Sequence, residues 1–79
     1  MSKGVKLDEL SRLLDRLGFS RTRQTGGHLV FQKTNGSGIT IVVRSAAILP
    51  PTMVAYVRRA LDENGVLGPN EFDRRLQHS

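Results

Sequence analysis

The chain has 79 residues, no cysteine, 12 lysines and arginines against seven acids, and a formal charge of +5. One domain spanning residues 1–79 fits that length, and the lack of cysteine excludes disulfide staples and thiolate metal sites. No apolar run approaches the ~20 residues of a membrane-crossing helix, and a pI near 10.8 points to an acidic partner, nucleic acid or protein.

Met1 to Lys6 lacks the apolar core of a secretion signal, so a reducing cytoplasm is the expected location. Leu7, Leu10, Leu13, Leu14 and Leu17 then recur at helical spacing, with acids early and bases late as the helix dipole favours. The spacing predicts a helix over 7–17, capped by Gly18. A first strand over 19–25, the turn signal Gly26-Gly27 and a second strand over 28–33 follow. Residues 34–38 form a glycine-rich loop, and the β-branched run 39–43 reads as a third strand. A connection over 45–51 leads to a second helix over 51–63, closed by Asn64-Gly65. Asn70 is placed to cap a short final helix carrying Phe72 and Leu76, with a frayed end beyond Gln77.

The order is α-β-β-β-α plus a short C-terminal helix, an α+β fold. Local hairpins imply a three-stranded antiparallel sheet with two helices packed on one face. Alternation puts Leu29, Phe31 and Lys33 on one side of the second strand and His28, Val30 and Gln32 on the other. Phe31 should face the helices, leaving His28 on the open face.

No aspartate or glutamate occurs from Arg16 to Leu61, whereas Arg16, Arg21, Arg23, Lys33, Arg44, Arg58 and Arg59 do. Imidazole is the side chain best suited to move protons near neutral pH, and His28 follows two glycines that permit close approach of a ligand. Arg21, Arg23 and Lys33 are neighbours across the hairpin and, with Arg44, could hold phosphate oxygens. The same charges could instead only guard a strand edge. One histidine in a stretch without carboxylates suits neither zinc nor a hard cation, no phosphate-binding glycine loop is present, and no cofactor is expected. No serine sits in a nucleophile elbow. If a phosphodiester is cut without a metal, RNA is the easier substrate, because its own 2′-hydroxyl can attack once His28 has deprotonated it. Lys33 or the protonated His28 could supply the acid. Tyr56 is a further donor whose helical position favours packing.

Gly18-Phe19, Arg23-Gln24, Gly26-Gly27-His28 and Phe31 fall in an ordered spacing that resembles the HicA toxin family, also grouped with YcfA-like proteins. Thr52-Met53 at the second helix start, Asn64-Gly65-Val66 and Glu71-Phe72 extend the likeness across Leu7 to Leu76. The resemblance implies a double-stranded-RNA-binding-like fold. It implies an endoribonuclease acting on mRNA, one half of a type II toxin–antitoxin pair neutralised by a HicB-type antitoxin, with the active histidine at His28. Two positions depart from the family pattern. Gly27 stands where serine is usual, and the segment Val42-Val43-Arg44-Ser45-Ala46 lacks the proline and second histidine that many members carry. The residues by themselves leave two further readings open: an RNA-binding module without catalysis, recognising shape and backbone, and an interaction domain whose basic face docks an acidic protein.

Overall fold

The structure, a computed structural model, describes residues 4–77, leaving aside the Gln77 side chain. The fraying expected beyond Gln77 falls outside these residues. The elements run β1 (Val5–Lys6), α1 (Leu7–Arg16), β2 (Phe19–Thr25), β3 (His28–Lys33), β4 (Thr40–Arg44), β5 (Ile48–Leu49), α2 (Pro51–Glu63) and α3 (Pro69–Gln77). β2, β3 and β4 form an antiparallel sheet in that spatial order, and the helices cover one of its faces. The α+β architecture inferred from the sequence pattern is the one the chain adopts.

α1 buries Leu10, Leu13 and Leu14 completely, carries Asp8 and Glu9 in its first turn and Arg16 in its last. It stops one residue earlier than the leucine period suggests. Leu17 is the C-cap, and Gly18 turns the chain at φ 89°, where a side chain would be strained. The exposed carbonyls of that end are met from the sheet. The Lys33 ammonium donates to the Leu17 carbonyl at 2.6 Å, and the Thr34 amide and hydroxyl both donate to the Gly18 carbonyl, at 2.8 and 3.0 Å. A Cβ on Gly18 would come within 2.9 Å of the Lys33 nitrogen, so the glycine also makes room for the cap.

β3 alternates as expected: Leu29 and Phe31 are buried and His28 and Gln32 exposed. β4 spans Thr40–Arg44, one residue later than the apolar run predicts. Ile39 closes the loop instead, its carbonyl accepting from the Lys33 amide and its own N–H donating to the Ser37 hydroxyl oxygen. The 45–51 connection contains an element the sequence did not announce. Ile48 and Leu49 pair with Lys6 and Val5 as a two-stranded ribbon, and the Leu7 amide donates to the Ala47 carbonyl at 2.9 Å. Gly4 lies against this ribbon so closely that a Cβ there would meet the Ile48 side chain at 2.5 Å.

α2 starts with Pro51, whose fixed φ suits the first helical position, and buries Val57 and Leu61. The expected cap at Asn70 is displaced. α3 begins at Pro69, and the Phe72 amide donates to the Gly68 carbonyl at 2.9 Å. Proline without an amide hydrogen fits the first turn better than the asparagine that follows it. Phe72 and Leu76 then close over α1 and α2. Tyr56, expected to pack, is 44% exposed on the outside of α2.

Candidate functional site

Among the described residues, no element packs on the face of the sheet away from the helices. Its composition follows from register. The Ser45 amide donates to the Gly27 carbonyl at 2.6 Å and the Lys33 amide to the Ile39 carbonyl at 3.0 Å. In an antiparallel ladder hydrogen-bonded pairs recur every second residue, so Leu29–Val43 and Phe31–Ile41 are the bonded pairs. His28–Arg44, Val30–Val42 and Gln32–Thr40 are therefore the non-bonded pairs, whose side chains approach most closely, with Cβ atoms roughly 4.5–5.5 Å apart. Arg44 thus stands directly across from His28.

β2 supplies the other flank. Arg21 pairs with Phe31 and Arg23 with Val30, so Thr22 is an extra residue, a β-bulge. In a regular strand Arg21 and Arg23 would share a face. The bulge sends them to opposite ones. Arg21 goes to the helix side, where its guanidinium lies 5.7 Å from the Phe31 ring centre and donates to the Ser11 hydroxyl at 3.2 Å. Arg23 goes to the open side, beside Thr25, which pairs with His28. A hollow of about 370 Å³ on that side is lined by Thr22, Arg23, Val30 and Gln32.

Among the residues singled out from the sequence, His28, Arg23 and Arg44 are therefore brought to one face. Gly26 and Gly27 form the two-residue turn leading into His28. Gly26 alone of the two takes a positive φ, 55°, as at the first central position of a type II′ turn. A Cβ on either glycine would meet nothing within 4 Å, so serine in place of Gly27 would fit without displacement. Arg21 and Lys33 are placed elsewhere. Lys33 pairs with Phe19 at the end of β3 remote from His28, its ammonium on the Leu17 carbonyl and 5.6 Å from the Phe19 ring centre. The sequence reading overlooked Thr22, Thr25 and the Val30–Val42 pair. No glycine marks the bulge, and only the pairing register reveals it.

The His28 imidazole is exposed and has no hydrogen-bond partner among the described residues, and Arg23 and Arg44 have no ion-pair partner there. Among the described residues no carboxylate stands on this face to neutralise them. Among the described residues no three histidines or carboxylates lie close enough together to hold a metal ion. The face can therefore present two cationic forks and one imidazole to an anionic ligand.

Comparison with known families gives a match over residues 7–62 to the model described as the HicA toxin of bacterial toxin–antitoxin systems. The chain belongs to the HicA toxin family. The matched span runs from the start of α1 into the last turn of α2 and contains the whole open face, so the family's signature and the exposed basic surface coincide. Membership in a toxin–antitoxin family implies an antitoxin as partner. No curated protein and no solved structure matches the chain. Among the described residues no helix is long and apolar enough to cross a membrane.

Proposed function

We propose that this HicA-family toxin is an endoribonuclease that cleaves mRNA without a metal ion, with His28 as its proton-transfer residue. The observation that carries this reading is the close cross-strand pairing of an exposed, unpartnered imidazole with Arg44, flanked by Arg23. His28 takes the proton of a ribose 2′-hydroxyl, and the oxygen attacks the adjacent phosphorus. The bond to the 5′-oxygen breaks, leaving a 2′,3′-cyclic phosphate on one fragment. Arg44 and Arg23 hold the phosphate oxygens as negative charge builds on them. The proton gained by His28 returns to the departing 5′-oxygen, giving a free 5′-hydroxyl. The Lys33 ammonium, tied to the far end of the sheet, is not the acid in this scheme. Gly26 and Gly27 keep the approach to His28 clear. Arg21 and Lys33, on the helix side, add to the general positive field that draws RNA to the protein. A HicB-type antitoxin would silence the enzyme by covering this face in the cytoplasm.

One observation favours a second reading, RNA binding without cleavage. Among the described residues His28 is the one imidazole on the open face and no carboxylate stands beside it, so base and acid must be the same residue. The two readings separate in one experiment. A panel of single- and double-stranded RNAs is incubated, with chelator present, with wild type and His28→Ala. Cutting by wild type alone supports the ribonuclease. Cutting by the variant at the wild-type rate removes His28 from the chemistry. Retention of RNA without cutting by either protein supports the binding module.

A further inference from the structure

A cavity of about 410 Å³ opens where β4 leaves the sheet, lined by Lys6, Leu7 and Asp8 on one side and Ser45 to Ile48 on the other. Its size falls in the roughly 300–1,000 Å³ range of small-ligand sites. It begins at Ser45, one residue beyond Arg44 and hydrogen-bonded to the Gly27 carbonyl next to His28. The cavity therefore adjoins the end of the sheet that carries the histidine.

Two features make it a candidate binding site. The Lys6 ammonium, the Asp8 carboxylate and the Ser45 hydroxyl have no hydrogen-bond or ion-pair partner among the described residues, although all three line one cavity. Ile48, at 53% the most exposed of the large hydrophobic residues noted among those described, lines the same cavity, held in place against Gly4. An apolar wall with unpaired donors and an unpaired acceptor is what an unstacked nucleobase needs, a flat surface for its ring and partners for its edge. Among the described residues the open face offers no benzene-ring platform, because Phe19, Phe31 and Phe72 are all buried and Tyr56 lies on α2.

We infer that this cavity binds a guanine base of the RNA strand, adjoining the phosphate held at His28. The choice of base follows from the donor pattern. An ionised carboxylate only accepts hydrogen bonds, through two oxygens side by side. Guanine alone presents two adjacent donors, N1–H and the N2 amino group, on its pairing edge, with the O6 acceptor beside them. Asp8 takes the two donors, and Lys6 or Ser45 donates to O6. Adenine would set its N1 lone pair against the carboxylate, and cytosine and uracil each offer a single donor position flanked by an acceptor.

This inference rests on RNA being the ligand of the open face, and the test separates the two. Guanosine, adenosine, cytidine and uridine 3′-monophosphates are titrated into the isotope-labelled protein while the amides of residues 6–8 and 45–48 are followed by NMR. The guanosine nucleotide should move those amides at concentrations about ten-fold lower than the others, the discrimination of one bidentate base contact. Asp8→Asn should erase that ratio, and Lys6→Met should weaken guanosine nucleotide binding. A ratio measured within one variant does not depend on its folded fraction. No response at the cavity, an equal response to all four, or a preference that survives Asp8→Asn would overturn the assignment. A guanine preference in a protein that cuts no RNA would leave the site standing and remove the ribonuclease. Cleavage without base preference and without cavity shifts would do the reverse.

Discussion

The two faces of the β2–β3–β4 sheet share the same strands and have almost no chemistry in common. On the helix side Phe19, Leu29, Phe31, Ile41 and Val43 are buried, and the cations that reach that side, Arg21 and Lys33, are spent on protein groups. On the open side His28, Arg23 and Arg44 stand among threonines and one valine pair with no protein partner for their charge among the described residues. Arg21 and Arg23 make the contrast sharpest. They are the same residue type on one strand, two positions apart, and a single bulged residue decides which of them bonds to the protein and which is left on the open face without a protein partner among the described residues. Position along the strand does not assign the role. The parity of the ladder does.

The largest effect should come from setting a residue of one face against a residue of the other. Phe31→Ala removes a buried ring and should cost about 3–5 kcal/mol, against a total of about 5–15 kcal/mol for a typical domain and less for one this small. That variant should be largely unfolded by circular dichroism at temperatures where wild type is folded. His28→Ala, three residues away on the same strand, should keep the wild-type melting temperature while losing about 10²–10⁴-fold in RNA cleavage. A His28→Ala protein that melted early would show that the open face contributes to the fold and would weaken the division.

The arginine pair gives the next test, of smaller size. Arg23→Ala should weaken RNA binding similarly for all sequences and lower the slope of log affinity against log salt by about one, the mark of a lost phosphate contact. Arg21→Ala should leave the slope closer to wild type and instead lower stability by about 0.5–1 kcal/mol through its lost contact with Phe31. Lys33→Met should behave like Arg21→Ala, because its ammonium caps α1 rather than facing the open side. Equal salt slopes for the two arginine variants would mean that RNA reaches around the β2 edge and touches both faces.

Much of this division is legible in the residues alone. Alternation over 28–33 placed Leu29 and Phe31 inward and His28 outward, and even put Lys33 on the side of Phe31, because the period-two rule acts on each residue locally. The 51–63 helix was legible for the same reason, its apolar period being bounded by Pro51 and Asn64-Gly65. What escaped depended on distant partners. The β1–β5 ribbon consists of two dipeptides paired across more than forty residues of chain, too short to show any period. The Thr22 bulge exists only as a mismatch between β2 and β3, and nothing in Arg21-Thr22-Arg23 announces it. The destination of Lys33 depended on where the end of α1 came to rest, so a side chain that reads as a phosphate ligand turns out to be a helix cap.

The smallest effect concerns charge on the outside of the helix layer, where cations are again matched by protein. Glu71 in α3 receives the Arg75 guanidinium at 3.0 Å and that of Arg74 as well, and these hydrogen bonds hold its carboxyl below the ordinary range. A carboxyl whose pKa is lower in the folded chain than in the unfolded one adds stability above its unfolded pKa. That stability is lost as pH falls through the folded value, because the unfolded chain then binds more protons. Urea unfolding of wild type and Glu71→Gln should differ slightly at neutral pH and converge in acid below the folded pKa, with wild type showing the steeper acid loss. The pairs are solvent-exposed, so the gap should also shrink in high salt. A gap that persisted unchanged into acid would mean that Glu71 acts through packing beside Phe72 and not through its charge. The contrast between matched and unmatched cations would then rest on Arg21 and Lys33 and on the Arg58–Asp73 and Arg59–Glu63 pairs of the helix layer.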